Sequence, residues 1–283
     1  MRTLIADFQR LRFWRHFAIH AFAAVGVPAV LLGLFDLFFP DVLSEASKRW
    51  LVLIVLFAFG YAVWRSWPRP ISQEFAAPKV TIRVIEGDLL AQAAHLVIGM
   101  STTFDTEPPY ISKDSVQGQF LERLYDGNLS ALNRDLGEAL VGVQPIDIRV
   151  KEGKQDVYPL GTVATIKNPS KHYFCVAYTE MNERNRARGT AGGLWTSLEH
   201  LWEAISNYSN GGSVAIPVIG GGQSRLSQVL PAQDAIRFII LSFILASRVE
   251  KVCDELVIVV RPGDYKHLDR LELQSFLRSL RKS

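Results

Sequence analysis

The sequence predicts an α/β protein, namely a three-layer domain that follows a two-helix transmembrane hairpin. Two long apolar runs occupy residues 17–39 and 50–64. Beyond residue 79, stretches rich in β-branched residues alternate with stretches whose apolar residues recur every three or four positions. Two of the later stretches, residues 213–219 and 256–260, are almost wholly apolar, which is typical of strands covered on both faces of a sheet.

The first apolar run is long enough to cross a bilayer. As a helix, residues 17–39 would extend over about 35 Å, and the hydrocarbon core is about 30 Å thick. The second run is shorter, but it can still span a bilayer if Arg65 snorkels towards the interface. Four of the six tryptophans flank the two runs, as in the aromatic belts of membrane proteins. We therefore expect transmembrane spans at about residues 17–39 and 50–67.

Charge divides the chain in the same way. Residues 1–69 have a net charge of +4, from 8 Lys and Arg and 4 Asp and Glu, whereas the remainder has a net charge of −1. Basic residues flank the pair of runs, which predicts an inner-membrane, multi-pass protein with both termini and the later domain in the cytoplasm. A cleaved signal peptide is the alternative, although the first run is long for one. Because the later domain lacks a basic excess, nucleic acid is not an expected partner.

The predicted domain organisation is a hairpin at residues 1–69, a proline-marked linker at 70–78 and a cytosolic domain at 79–283. The predicted strands of this domain are residues 80–86, 96–100, 161–166, 173–178, 213–219 and 256–260. The predicted helices are residues 118–140 with a break at Gly127, residues 191–208, residues 231–248 and a C-terminal helix after Asp264.

One motif has the composition of an anion-binding loop. A buried strand ends in IPVIGGGQSR, so Gly220, Gly221 and Gly222 are followed by Arg225. Glycines allow consecutive N–H groups to form an anion nest, and the arginine can contact a phosphate. The motif is neither a P-loop nor a Gly-x-Gly-x-x-Gly fingerprint. An ordinary glycine-rich turn is the alternative.

Two further features are compatible with nucleotide binding. Asp88 follows the first predicted strand, and its carboxylate could accept a hydrogen bond from the amino group of adenine or cap a short helix at residues 89–94. The loop of residues 101–119 is longer and more polar than a connection requires. It ends just before a predicted helix, whose N-terminus could bind an anion. A mobile surface loop is the alternative.

The sequence predicts no catalytic residue, no metal and no cofactor. The histidines of the later domain are scattered without metal-ligand spacing. No nucleophile elbow or Ser–His or Cys–His pair is apparent. The two cysteines, Cys175 and Cys253, cannot form a disulfide framework.

The order of the predicted elements and three motifs resembles the macro domains, which bind ADP-ribose. The motifs are FDT at residues 104–106, ISKDSVQGQF at 111–120 and PVIGGGQSRL at 217–226. Behind two transmembrane helices, they resemble the membrane-anchored macro-domain effectors of Thoeris anti-phage systems. The resemblance covers about residues 79–265 and implies a macro-like, three-layer fold with a mixed sheet.

The resemblance also implies which residues bind the ligand. The implied set consists of Asp88 at the adenine, Asp105, Ser115 and Gly118 in a first loop near the pyrophosphate and distal ribose, and Gly220, Gly221, Gly222 and Arg225 in a second phosphate loop.

The implied ligand is an ADP-ribose derivative of the histidine-linked type, made by a TIR-domain partner. Its binding would drive homo-oligomerisation, disruption of the lipid bilayer and abortive infection. ADP-ribosyl hydrolases of the macro class usually have an asparagine just after the second strand, but residues 98–102, IGMST, contain none. We therefore expect a binding protein rather than an enzyme. A membrane-tethered ADP-ribosyl hydrolase and a scaffold for ADP-ribosylated proteins are the alternatives.

Overall fold

The computed structural model describes residues 70–220, 226 and 229–281, together with scattered residues between 14 and 64. The chain divides into two compact units, Met1–Arg69 and Pro70–Ser283. The elements described below belong to the second unit.

A seven-strand path with one additional strand forms the main sheet. Its order is β1-β2-β10-β9-β3-β7-β6, and β8 pairs with the far end of β7. The five central strands run parallel, while β1, β6 and β8 pair antiparallel with their neighbours. The strands are β1 Ile71–Ala76, β2 Lys79–Glu86, β3 His95–Ser101, β4 Asp147–Ile148, β5 Asp156–Val157, β6 Val163–Ile166, β7 Tyr173–Met181, β8 Ala187–Arg188, β9 Val214–Pro217 and β10 Glu255–Val260.

Helices cover both faces of this sheet. They are α1 Val116–Leu124, α2 Leu129–Ala139, α3 Ala191–Tyr208, α4 Ala232–Val249, α5 Pro262–Tyr265 and α6 Arg270–Leu280. Buried residues of α1 and α2 pack on one face, and those of α3, α4 and α6 pack on the other. The mixed sheet and the three layers predicted from the sequence are confirmed.

The alternation of side chains along the strands explains why two cores form. In β3, Leu96 and Ile98 belong to the core beneath α1 and α2, whereas Val97 belongs to the core beneath α3 and α4. Successive residues of a strand point to opposite faces, so a continuous apolar run supplies both cores at once. The apolar strands β9 and β10 therefore lie at the centre of the sheet.

The structure confirms the predicted helix break at Gly127 but places a strand in the predicted linker. The predicted helix break is confirmed, because α1 and α2 are separated by a turn in which Gly127 has a φ of +72°. The predicted linker at residues 70–78, in contrast, contains β1. Ile71 and Phe75 of this strand are buried, and the whole strand pairs with β2 in an antiparallel register.

The prediction of a transmembrane hairpin, and with it that of a multi-pass inner-membrane protein, requires correction. Among the described residues, no helix has both the length and the apolar character needed to cross a bilayer. The longest described helices, α3 and α4, have 18 residues each, or about 27 Å. Both are packed against the sheet. The predicted spans, residues 17–39 and 50–67, lie largely outside the described residues.

Candidate functional site

A cavity of about 670 Å³ lies at the carboxyl ends of the parallel strands. Residues at or just after the ends of β2, β10, β9, β3 and β7 line it in that order across the sheet. Ligands of open α/β sheets bind at this edge, and the volume lies within the usual range for small-molecule sites. The strand order therefore places the ends of five strands along one long site.

Asp88 lies at the β2 end of the cavity. One carboxylate oxygen accepts a hydrogen bond from the backbone N–H of Leu90 at 3.0 Å, and the other is 2.7 Å from the guanidinium group of Arg123. The side chain of Asp88 is 46% exposed, so it can still accept a hydrogen bond from a ligand. The residues after it form a turn rather than the alternative helix of residues 89–94. Asp88 therefore caps a turn and faces the cavity.

The loop of residues 101–119 forms one wall and ends at α1. Ser115 is the N-cap of this helix, because its hydroxyl accepts the N–H of Gly118 at 2.9 Å and donates to the carbonyl of Ser112 at 2.6 Å. A Cβ atom on Gly118 would lie 2.3 Å from that same carbonyl oxygen. Ser115 lines the cavity, whereas Gly118 permits the loop to pack closely against the helix.

The glycine-rich segment after β9 is described only at its start. Gly220 lines the middle of the cavity with a φ of +103°, a backbone conformation that favours glycine. Gly221, Gly222 and Arg225 lie outside the described residues. The structure thus brings together Asp88, Ser115 and Gly220 of the predicted set.

Asp105 is placed beneath the cavity rather than on its wall. The side chain is 1% exposed, and each of its oxygens lies 2.9 Å from the ammonium group of Lys151, whose side chain is 0% exposed. Asp105 also accepts the backbone N–H of Lys154 at 2.9 Å and the hydroxyl of Thr103. The sequence does not predict this buried ion pair, because Lys151 lies in the polar stretch KEGKQD, which is typical of a solvated loop.

A β-bulge shapes the β7 end of the cavity. Met100 pairs with Ala177 but Ser101 pairs with Thr179, so Tyr178 is the extra residue of β7. A Cβ atom on Gly99 would lie 2.5 Å from the ring of Tyr178, which shows that the ring lies directly against the backbone of β3. Bulges commonly redirect a side chain next to a binding site. Here the bulge places an aromatic ring on the cavity wall.

The remaining described lining is mixed in character. Arg261, at the mouth, donates a hydrogen bond to the carbonyl of Asp114 at 3.3 Å and so links the end of β10 to the loop before α1. Within the described residues, the lining contains no histidine, cysteine or asparagine, and no cluster of side chains is placed to hold a metal ion. The described polar groups of the lining are backbone groups, hydroxyls, two glutamine amides, a few carboxylates and the guanidinium group of Arg261, set among apolar side chains.

The family to which the chain belongs follows from a sequence comparison. The family model described as "Thoeris protein ThsA, Macro domain" matches residues 82–261, more than half of the chain. The chain belongs to this family. The match begins in β2 and ends at Arg261, so it includes the five strand ends that line the cavity.

Individual relatives are distant in sequence. Thoeris protein ThsA of Bacillus amyloliquefaciens (strain Y2) is 20% identical over 209 residues, which are 69% of this chain and 67% of that protein. A glycine-to-valine variant of the Oceanobacillus iheyensis macrodomain, solved with ADPR, has a TM-score of 0.50 and 15% identity, with coverage of 75% of this chain and 100% of that chain. The same macrodomain solved with ADP has a TM-score of 0.49 and 15% identity, with coverage of 76% and 98%. The family match and the structure with a TM-score of 0.50 confirm the predicted macro-like fold.

Proposed function

We propose that the cavity of this ThsA-family macro domain binds a nucleotide of the ADP-ribose type and that the protein acts as a sensor in anti-phage defence. The observation that supports this most strongly is the row of five strand ends. Four strand spacings of about 4.8 Å give a site about 19 Å long from Asp88 to Thr179, which suits an extended dinucleotide-like ligand. Membership of the Thoeris ThsA family supports the role in defence.

The lining supports one orientation of the ligand. Adenine lies beside Asp88, whose partly exposed carboxylate can accept the exocyclic amino group. The diphosphate lies between Gly220 and the start of α1, where backbone N–H groups and the positive end of the helix dipole favour an anion. The distal ribose then lies at the end formed by Ser101, Tyr178 and Thr179.

The protein acts by binding rather than by hydrolysis in this proposal. The end of β3 and the start of the following loop contain no asparagine, and the residues that face the distal ribose are a serine, a threonine and a tyrosine. The carboxylate behind them, that of Asp105, is buried in an ion pair with Lys151 and is not exposed to the ligand as a general base would be. The exposed carboxylate of Asp88 lies at the opposite end of the cavity. A TIR-domain partner supplies the signal, a histidine-linked ADP-ribose, and the bound state assembles into homo-oligomers that lead to abortive infection.

Titration calorimetry of the purified full chain tests the ligand. Saturable, one-to-one binding of ADP-ribose is expected, with weaker binding by Asp88→Ala and unchanged binding by Asp254→Ala, which alters an exposed carboxylate outside the cavity. A charged hydrogen bond is worth about 1.5–3 kcal/mol, so the Asp88 variant should lose about 10- to 100-fold in affinity. Absence of binding to ADP-ribose and to its histidine conjugate would refute the proposal.

Two further measurements test the sensor mechanism. Light scattering should show a larger mass once the histidine conjugate is added, and a constant mass would refute ligand-driven assembly. Chromatography of the conjugate after prolonged incubation should recover it intact. Its conversion to free ADP-ribose would favour the hydrolase instead.

A further inference from the structure

Four buried side chains connect the β7 end of the cavity to the domain interior. They are Ser101, Thr103, Asp105 and Lys151, and we call them the serine chain. The hydroxyl oxygens of Ser101 and Thr103 are 3.1 Å apart, the Thr103 hydroxyl donates to Asp105, and both Asp105 oxygens lie 2.9 Å from the ammonium group of Lys151. Ser101 is the member of the chain that lines the cavity.

The ion pair fixes the direction of every hydrogen bond in the serine chain. The carboxylate of Asp105, held against an ammonium group, accepts hydrogen bonds and donates none. The single hydroxyl hydrogen of Thr103 is therefore used at Asp105, and Thr103 must accept the hydroxyl hydrogen of Ser101. Ser101 in turn has no hydrogen left to donate and presents oxygen lone pairs alone.

We infer that Ser101 is a specificity-determining residue that accepts a hydrogen bond from a neutral sugar hydroxyl and disfavours an anionic group at that end of the cavity. A ribose hydroxyl can donate to the Ser101 oxygen. An ionised phosphate or carboxylate oxygen has no hydrogen to donate to Ser101. Such an oxygen would face the lone pairs of the buried Ser101 oxygen without a hydrogen bond, which costs binding free energy. Thr103, Asp105 and Lys151 act through Ser101 as positioning residues. The inference rests on the proposed function and adds to it the residue that distinguishes a sugar hydroxyl from a further phosphate group at this end of the cavity.

The same direction of hydrogen bonding gives Asp105 a role that differs from the predicted contact with the ligand. Its side chain is too deeply buried to reach a ligand, yet its charge determines which way the hydroxyls of Thr103 and Ser101 point. Through the backbone N–H of Lys154 it also anchors the segment between β4 and β5. Loss of the charge would therefore alter specificity without removing any ligand contact of its own.

Titrations of the full chain with ADP, ADP-ribose and ATP, without divalent cations, test the inference. The wild-type protein should bind ADP-ribose more tightly than ADP, and ATP no more tightly than ADP. Ser101→Ala should weaken ADP-ribose binding by about 3- to 10-fold, the value of one neutral hydrogen bond, and leave ADP binding unchanged. The affinity for ADP thus shows whether a variant is folded and still binds the part of the ligand that ADP and ADP-ribose share.

Thr103→Val supplies the readout that a merely structural role would not change. This substitution removes the hydroxyl that accepts a hydrogen bond from Ser101. The Ser101 hydroxyl then becomes free to donate to a phosphate, so the affinity for ATP should rise several-fold relative to the affinity for ADP-ribose. Thr103→Ser keeps the serine chain and should keep the wild-type ratio, as should Ser275→Ala on the exposed surface of α6.

Two results would overturn the inference. One is an unchanged ratio of ATP affinity to ADP-ribose affinity in Thr103→Val, and the other is an equal loss of affinity for ADP and for ADP-ribose in Ser101→Ala. A wild-type protein that binds neither ADP nor ADP-ribose would instead refute the proposed function, and the inference would fall with it.

Discussion

The Lys151→Met substitution keeps most of the side-chain volume but leaves the carboxylate of Asp105 buried without its cation. Both side chains are almost completely inaccessible, and both carboxylate oxygens lie 2.9 Å from the ammonium group. The variant carboxylate retains the backbone N–H of Lys154 and the hydroxyl of Thr103, yet neither carries a positive charge. Removing one partner of a buried ion pair costs about 3–5 kcal/mol, because the remaining charge loses its contact partner. The largely buried Lys154 side chain also interacts electrostatically with Asp105, so it offsets part of this loss.

The expected loss is large enough to measure by thermal or urea denaturation of the full chain. For a unit of this size, each kcal/mol shifts Tm by about 2–4 °C, so Lys151→Met should lower Tm by roughly 6–20 °C. Lys251→Met is the matched control, since Lys251 pairs with Asp254 at the surface, where the two side chains are 45% and 67% exposed. Exposed pairs contribute less than about 1 kcal/mol.

A second substitution separates charge from packing. Asp105→Asn in the Lys151→Met background removes the uncompensated charge, so the double variant should be more stable than Lys151→Met alone. If Lys151→Met were within about 1 kcal/mol of the wild-type protein, or if the double variant were the less stable of the two, the buried ion pair would not have the role assigned to it here.

Three further predictions concern packing, pH and thiol chemistry. Gly118→Ala should destabilise the protein by about 1–3 kcal/mol, because the new methyl group would meet backbone atoms of the preceding loop. Gly137→Ala is the control: this position faces open space on α2, so the substitution should stabilise the protein by up to about 1 kcal/mol. Equal effects of the two substitutions in urea denaturation would contradict the close approach at α1. Burial, and secondarily the charge of His172, lowers the pKa of His95 in the folded protein. As the pH drops below about 6.5, the unfolded chain therefore binds the proton at this histidine more readily than the folded protein does, and the free energy of unfolding should fall. His95→Asn should reduce this pH dependence, and an unchanged slope of the free energy of unfolding against pH would contradict a lowered pKa at His95. The thiol of Cys253 is fully buried, and burial raises its pKa to about 12, so a thiol reagent should label Cys253 no faster than the native structure opens; labelling at the rate of a free thiol would show that it is accessible.

Periodic patterns allowed much of the fold to be predicted from the sequence. The helices at residues 191–208 and 231–248 agree with α3 and α4 to within one residue, because each buries one face against the sheet over five turns. The residues of β1 predict a linker because prolines flank a polar stretch. Only two of the six residues, Ile71 and Phe75, are buried, and the strand forms by pairing with β2, which the local sequence does not reveal.

The candidate site was less accessible to sequence reasoning than the fold. Three predicted residues line the cavity because each lies next to the end of a strand or helix that the sequence pattern predicts: Asp88, Ser115 and Gly220. Lys151 could not be found in this way, since a lysine in a polar segment is ordinarily exposed and its burial depends on Asp105, 46 residues earlier. The position of Tyr178 depends on a bulge, which a strand pattern does not reveal.

A crystal structure of the protein with ADP-ribose would show directly whether the ligand lies along the five strand ends with its adenine at Asp88. The adenine amino group should lie within about 3.2 Å of the Asp88 carboxylate, and a distal ribose hydroxyl should lie within about the same distance of the Ser101 oxygen. The diphosphate should lie beside Gly220 and the start of α1. Adenine at the Tyr178 end, or a ligand bound outside the strand ends, would contradict this placement of the ligand.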